Sequence, residues 1–289
     1  MALAMHDSVL LVPLAVIIIV LTQQKTKTFL LVDASLTLIE TVALIFATSP
    51  FTYESLSSVP YDDLHHLLNQ FNMCYGLMTP LFYLFFARSA KGEEATLGLL
   101  AARTVELGLV VFNQCRNPQI FNDRHTLVVL SIAMWFCLTA FHLYQSGASL
   151  PKSGRNSFIN KCLKIDICIE TTFGALDIIS AAFVGSLVSA RVDILHEHIL
   201  TVASAGHLTS VLMGVYALGF TNIADKKGYI CCRLTLLLIL GGCFAYSVVH
   251  QKIILTTLDW FVYLVGFIQI APLLVGLLRG GEDSLSKRD

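Results

Sequence analysis

Nine apolar segments follow one another along the chain, each bounded by a short polar stretch. A helix needs about 20 residues to cross a bilayer, and most of these segments approach or exceed that length. Helices are the expected element, because a spanning segment must satisfy its own backbone hydrogen bonds. The pattern predicts an all-α polytopic membrane protein with about nine transmembrane helices, near residues 8–22, 28–48, 65–87, 96–112, 126–144, 162–188, 196–220, 230–250 and 256–278.

The composition agrees with this prediction. Of the 289 residues, 55% are apolar and 13% are charged, whereas an average soluble domain is about 25% charged. The net charge of −1 provides no basic surface, so nucleic acid is not an expected partner.

Basic residues are distributed unevenly between the two sets of loops. Thirteen of the 19 lysines and arginines fall in the loops of one side and four in the loops of the other. By the positive-inside rule the rich side is cytoplasmic, which places the N-terminus in the lumen and the C-terminus in the cytoplasm. Short lumenal loops without an Asn-x-Ser/Thr sequon fit the endoplasmic reticulum.

The two halves of the chain share residues at a fixed offset of 130. Ile39-Glu40-Thr41 returns as Ile169-Glu170-Thr171, and Arg103 returns as Arg233. Fixed self-similar spacing is typical of duplicated units, although two apolar sequences also share identities by chance. Each unit has four helices, so a duplication would give a parallel repeat.

The predicted organisation is one helix followed by two tandem four-helix bundles. A polar stretch containing Pro151 marks the boundary between the bundles. The divisions are an N-terminal transmembrane helix over 1–27, unit 1 over 28–147, a cytoplasmic linker over 148–160, unit 2 over 161–279 and a cytoplasmic tail over 280–289.

Charged residues inside the apolar segments are the main candidates for a site. Glu40 and Arg103 are predicted to pair in unit 1, and Glu170 and Arg233 in unit 2, with Glu106 one turn beyond Arg103. One interpretation is a structural ion pair that relieves the cost of two lone charges. The other is a cation or proton route, or a seat for a lipid head group.

Further acids form a stripe along the first helix of each unit. Asp33 lies two turns before Glu40, and Asp166 and Asp177 lie on the same face as Glu170. A water-filled path lined by the unit 2 stripe would favour a transporter or channel. Arg233 buried against these acids in a dry bundle would not.

Polar residues also mark the lumenal interface, namely Asp63, His66, Asp193 and His196. The aspartates are predicted to cap helices, and the histidines to lie at the polar boundary. No metal site is expected, since no further ligand stands nearby in sequence. A lipid enzyme would require the histidines to converge in a cavity, and no catalytic motif is present, so the protein is predicted not to be an enzyme.

Unit 1 resembles the tumour-suppressor-inducible family of small four-helix membrane proteins. The resemblance rests on Tyr75-Gly76, Leu109-Val110-Val111 and Tyr144-Gln145-Ser146-Gly147, and covers residues 29–147. Unit 2 departs from it, since Ala205-Gly206 replaces Tyr-Gly. The resemblance implies an endomembrane, non-enzymatic protein and carries over no functional residues.

Together these observations favour a non-enzymatic subunit or scaffold of an endoplasmic-reticulum complex that handles lipids. No cofactor is expected, and a bound phospholipid is the candidate ligand. The expected partners are membrane lipids and a larger membrane-associated protein such as a lipid-transfer protein. The alternative is an ion- or proton-coupled transporter or channel that uses the acidic stripe of unit 2.

Overall fold

The computed structural model describes residues 16–45, 52–86, 93–147, 157–179, 193–250 and 268–279, together with 264 and 266. Helices account for nearly all of this part of the chain, and it contains no strand, so the all-α prediction is confirmed. Residues 16–22 of the predicted first helix are helical. The predicted tail, most of the linker and the 180–188 end of one segment lie outside the described residues.

Ten further helices can be given bounds. Most of them overlap a predicted apolar segment, whereas Tyr53–Leu56 lies between two of these segments, and residues 256–263 of the ninth segment lie outside the described residues. The helices are α1 Thr26–Ile45, α2 Tyr53–Leu56, α3 Asp63–Gly76, α4 Met78–Phe86, α5 Glu93–Arg116, α6 Arg124–Gln145, α7 Phe158–Ile179, α8 Ile194–Gly219, α9 Ile223–His250 and α10 Ile270–Arg279.

Four of these helices are long and apolar enough to cross a membrane. The spans lie within α5, α6, α8 and α9, at Glu94–Arg116, Arg124–Gln145, Ile194–Gly219 and Ile223–Tyr246. Their length and composition are compatible with an integral membrane protein.

The predicted helix over 65–87 is broken at Leu77, between α3 and α4. Pro80 has no N–H to donate to the Gly76 carbonyl, so the helical ladder is interrupted one turn before it. The Leu77 N–H instead bonds the Cys74 carbonyl at 3.0 Å in a tighter turn. Ser210 stands at the matching position of α8, which runs unbroken for 26 residues.

Helices of the two predicted units pack directly against each other. α8 of unit 2 packs against α5 and α3 of unit 1 as well as against its neighbour α7, while α9 packs on α3 and α4. Within this core lie Leu100, Leu163 and Met213, all fully buried. Because the helices of the two units are in contact, side chains of one unit reach polar residues of the other, as Tyr75 reaches His207.

Candidate functional site

A buried ion-pair network occupies unit 2 and centres on Arg233. This α9 side chain is fully buried. Its Nε and one terminal nitrogen each lie 3.1 Å from an oxygen of Asp166, and it also contacts Glu170. Tyr229 donates a further hydrogen bond of 3.2 Å to Asp166. Both carboxylates sit on α7, one turn apart, because residues four apart share a helix face.

His207 of α8 extends the network along α7. Its Nδ1 lies 2.9 Å from Glu170 Oε2, and its Nε2 lies 3.2 Å from Asp177 Oδ2. The Tyr75 hydroxyl, from unit 1, lies 3.0 Å from the same Nδ1. Every acid of the unit 2 stripe therefore contacts Arg233 or His207, and Asp166 and Glu170 are buried.

Unit 1 arranges its charges differently, and the predicted Glu40–Arg103 ion pair is wrong. Within 4.0 Å, the Arg103 guanidinium meets Asp33 at 3.5 Å and Glu106 at 3.1 Å, and not Glu40. It also donates to Thr37 Oγ1 at 3.0 Å. Asp33, one turn before Thr37 on α1, takes the place that was predicted for Glu40, and the Glu40 side chain is exposed.

A cavity of about 170 Å³ lies beside Arg103, within unit 1. Its walls come from α1, α2, α3, α5 and α6, and α8 of unit 2 closes one side. The polar side chains that line it are Thr37, Glu40, Thr41, Tyr53, Asn69, Asn72, Tyr75, Arg103, Glu106, Gln114 and His125. The Asn69 Oδ1 atom is buried without a hydrogen-bond partner among the described residues.

Among the residues that line the cavity, Glu40 on α1 is the exposed one, so the cavity meets the surface beside α1. Near one end, α1 and α6 are joined by a 2.5 Å hydrogen bond from Trp135 Nε1 to Asp33, and by Phe29 and His142, whose rings stack 4.3 Å apart. The lining residues of both helices lie beyond this junction, toward the opposite end. Since Glu40 is exposed there, this carboxylate faces the opening.

Gln114 closes the other end of the cavity through a polar cluster that sequence reasoning missed. It donates to the Tyr53 hydroxyl at 2.8 Å. Its Oε1 lies 2.7 Å from His125 Nε2 and 3.2 Å from His198 Nε2, so both rings can donate to it. Burial raises the pKa of Tyr53 and the hydrogen bond from Gln114 lowers it. Burial is the larger effect, and the pKa is about 12. No sequence motif marks this cluster, whose members come from four separate helices.

A second polar site lies where α3 and α8 begin. The predicted Asp193 cap is confirmed, whereas the predicted pair of unit 1, Asp63 and His66, is wrong by one position. The caps are Asp62 and Asp193, and the histidines at their N3 positions are His65 and His196. Asp63 is instead exposed, and His66 packs edge-on against Tyr61. The two buried imidazoles stack with centroids 3.5 Å apart.

The contacts between these two Asp–His pairs are reciprocal. His65 Nε2 lies 3.1 Å from Asp193 Oδ1, and His196 Nε2 lies 3.2 Å from Asp62 Oδ1. Although partial burial raises the pKa of each carboxyl, hydrogen bonds from the N3 backbone N–H and the nearby imidazoles lower it below the ordinary value of aspartate. The charged form of each carboxylate is therefore favoured.

One family model matches the chain over residues 31–277, and its description is a domain of unknown function (DUF8292). The chain belongs to this family. The matched range contains most of the described residues. No curated protein and no solved structure matches the chain.

Proposed function

We propose that this family member is a non-enzymatic membrane protein that binds the amine-bearing head group of a phospholipid in the unit 1 cavity. One observation carries the proposal. The acids of the unit 2 stripe are held by Arg233 or His207. By contrast, the carboxylate of Glu40, which borders the cavity, has no basic side chain within 4.0 Å among the described residues.

The chemistry of the cavity favours a ligand that donates hydrogen bonds and carries positive charge. Glu40 and the unpartnered Asn69 Oδ1 both accept, while Arg103 already has carboxylate partners. A carboxylate at membrane depth is costly unless it is paired. A primary ammonium group would offset that cost, and the opening beside α1 gives a lipid head group a route from the bilayer.

The finer architecture and location belong to the same proposal. The reciprocal contacts between the starts of α3 and α8 support a tandem duplication, and the apolar segments of the sequence are the basis for nine spans. Exposed apolar side chains such as Ile39 and Ile178 offer a surface to lipid or to a larger partner, for which a lipid-transfer protein is the proposed class. We retain the endoplasmic reticulum, a lumenal N-terminus and a cytoplasmic C-terminus, on the loop charges.

The test is lipid retention by the full chain purified in mild detergent. Wild type, Glu40→Gln and Glu54→Gln are each incubated with phosphatidylethanolamine, phosphatidylcholine or free ethanolamine and measured by native mass spectrometry. Glu54 is also exposed but does not line the cavity, so it is the matched control. We expect wild type and Glu54→Gln to prefer phosphatidylethanolamine, and Glu40→Gln to bind it about tenfold more weakly or worse.

Three outcomes would count against the proposal. Equal retention of both lipids would remove the role of the N–H donors, since choline has none. Unchanged binding by Glu40→Gln would place the lipid elsewhere, and binding of free ethanolamine alone would make the ligand a soluble amine.

A cation-coupled transporter or channel is the second candidate. Its supporting observation is the pair of acids, Glu40 and Glu106, that lines the same cavity. The predicted route along Asp166, Glu170 and Asp177 has less support, because Arg233 is buried against the first two. Cation-dependent flux in proteoliposomes that Glu40→Gln abolishes would favour transport over lipid retention.

A further inference from the structure

His207 of α8 lies between two carboxylates of α7, with one at each ring nitrogen. Nδ1 lies 2.9 Å from Glu170 Oε2, and Nε2 lies 3.2 Å from Asp177 Oδ2. A neutral imidazole carries one N–H, so its other nitrogen presents a lone pair. Whichever nitrogen that is, its lone pair lies against a carboxylate oxygen. The cluster therefore needs one proton more than a neutral ring and two carboxylates provide.

The hydroxyl of Tyr75 does not remove this requirement. It lies 3.0 Å from Nδ1 and has one proton to donate. If it donates to Nδ1, Glu170 Oε2 remains 2.9 Å from the same lone pair with no hydrogen between them. If Nδ1 instead carries the ring proton and donates to Glu170, the lone pair moves to Nε2 and lies against Asp177.

Backbone donors do not supply the missing proton either. At the starts of α3 and α8, the Nδ1 atoms of His65 and His196 each lie 3.1 Å from a backbone N–H that they can accept from. Among the described residues, no backbone N–H donates to either ring nitrogen of His207. A neutral ring is therefore adequate at those two histidines and inadequate at His207.

We propose that His207 is a proton-binding site, in which the ring takes up a proton from water and is held as imidazolium between Glu170 and Asp177. Each ring nitrogen then has an N–H to donate to its carboxylate. The network holds three carboxylates and the Arg233 guanidinium, a net charge of −2 that the imidazolium reduces to −1. Because buried charge is costly unless it is paired, the site favours the protonated ring.

Asp177 is the accessible end of this network. Its side chain is 20% exposed, whereas that of Glu170 is 2% exposed. The proton is therefore expected to exchange with the surroundings by way of Asp177, without passing Arg233.

The other helices that pack on α8 bring no further acid to the ring. Tyr75 comes from α3, Arg233 of α9 contacts Glu170, and the Glu106 carboxylate of α5 contacts Arg103. Within 4.0 Å, and among the described residues, the acids that meet His207 are the two on α7.

The bound proton holds α7 and α8 together. At Gly174, α7 approaches α8 so closely that a Cβ would lie 3.0 Å from His207 Cβ. The ring therefore has little room to turn away from its carboxylates, and loss of the proton would set the two helices against each other. The proposal concerns the charge of one ring and does not depend on the lipid proposal.

The experiment determines the charge of each histidine ring in the full chain, reconstituted in lipid bilayers, by ¹⁵N NMR with ring-labelled histidine. A cationic ring gives two similar nitrogen shifts, and a neutral ring gives two well-separated ones. His207→Gln identifies the signals of His207. The test variant is Asp177→Asn, and its matched control is Glu197→Gln, which changes an exposed acid of α8 that does not contact the ring.

At about pH 8, where an ordinary imidazole is neutral, the His207 ring should be cationic in wild type and in Glu197→Gln. In Asp177→Asn the new amide N–H can donate to Nε2, so a ring with its proton on Nδ1 satisfies both contacts. Most of the cationic signal should therefore be lost. His142 is the internal reference, because its Nε2 meets the Leu21 carbonyl at 3.2 Å and the ring should be neutral throughout.

The unfolding midpoint provides a second measurement. Since a ligand bound to the folded state stabilises it, the midpoint of wild type should fall as rising pH turns the ring neutral, and that of Asp177→Asn should fall less. A neutral His207 ring in folded wild type at about pH 8, or equal cationic signals in Asp177→Asn and Glu197→Gln, would overturn the proposal. An infrared band of a protonated carboxyl group that Asp177→Asn removes would also overturn it, since the proton would then belong to the acid.

Discussion

The hydroxyl of Tyr75 on α3 lies 3.0 Å from Nδ1 of His207 on α8, at the point where His207 also meets Glu170. A side chain of unit 1 thus completes the ion-pair network of unit 2. The two bundles share a polar interior as well as an apolar interface.

Tyr75→Phe should weaken this contact selectively. The ring would keep its packing against His207, with centroids 4.4 Å apart, and would lose only the hydrogen bond. A typical buried hydrogen bond contributes about 1 kcal/mol, so a small drop in the unfolding midpoint is expected. Thermal unfolding in detergent, followed by tryptophan fluorescence, measures it. A loss as large as that of Tyr75→Ala would show that the hydroxyl holds the whole contact.

Gly206→Ala should be more damaging, because α8 approaches α3 closely at this residue. A Cβ at Gly206 would lie 2.5 Å from Cβ of Tyr75, which is part of a helix and cannot move freely. Overpacking of this kind costs about 1–3 kcal/mol. The matched control is Gly242→Ala on α9, where a Cβ meets nothing within 4 Å.

Gly242→Ala should be neutral or slightly stabilising, since alanine favours helix over glycine. Equal unfolding midpoints for the two alanine variants would contradict the close approach of α8 to α3.

Arg233→Met should destabilise the protein more than Arg103→Met. Removing Arg233 leaves Asp166 buried without a counter-charge and leaves Glu170 with His207 alone, and breaking a buried ion pair costs about 3–5 kcal/mol. Near Arg103, Glu106 borders the cavity and Asp33 keeps the hydrogen bond from Trp135, so their cost is smaller. The triple variant Asp166→Asn/Glu170→Gln/Arg233→Met should recover part of the stability. A triple variant that unfolds as early as Arg233→Met would argue against charge as the cause.

An oxidant should join Cys74 to Cys243. Their sulfurs lie 3.5 Å apart, on α3 and α9, so formation of a disulfide needs only a small movement. Mild oxidation followed by peptide mass spectrometry should recover a 74–243 linked peptide, and Cys74→Ser should abolish it. Cross-links between other cysteines without this one would contradict the packing of α9 against α3.

The helices were predictable from the sequence because long apolar runs leave few alternatives in a membrane. The partners of the charged residues were less predictable from the sequence. Three acids, Asp33, Glu40 and Glu106, lie at positions from which they could pair with Arg103. Only the packing of α1 decides that Asp33, and not Glu40, contacts it. The packing of helices of one unit against helices of the other cannot be read from the sequence pattern.

The Asp–His site shows how a sequence comparison can choose the wrong residue. The chain carries Asp62-Asp63 and His65-His66 side by side, and an offset of 130 matches the second of each pair to unit 2. The helix begins one residue earlier, and so Asp62 and His65 become the cap and its partner. Identical neighbours cannot be told apart until the start of the helix is fixed.

Val202, Ala205 and Gly206 of α8 form part of the wall of the unit 1 cavity. Whatever this cavity holds, its shape is set by residues encoded more than 80 positions downstream of most of the other lining residues. Without α8, the remaining lining residues would form an open trough in place of a pocket. The first half of the chain therefore does not enclose this space by itself.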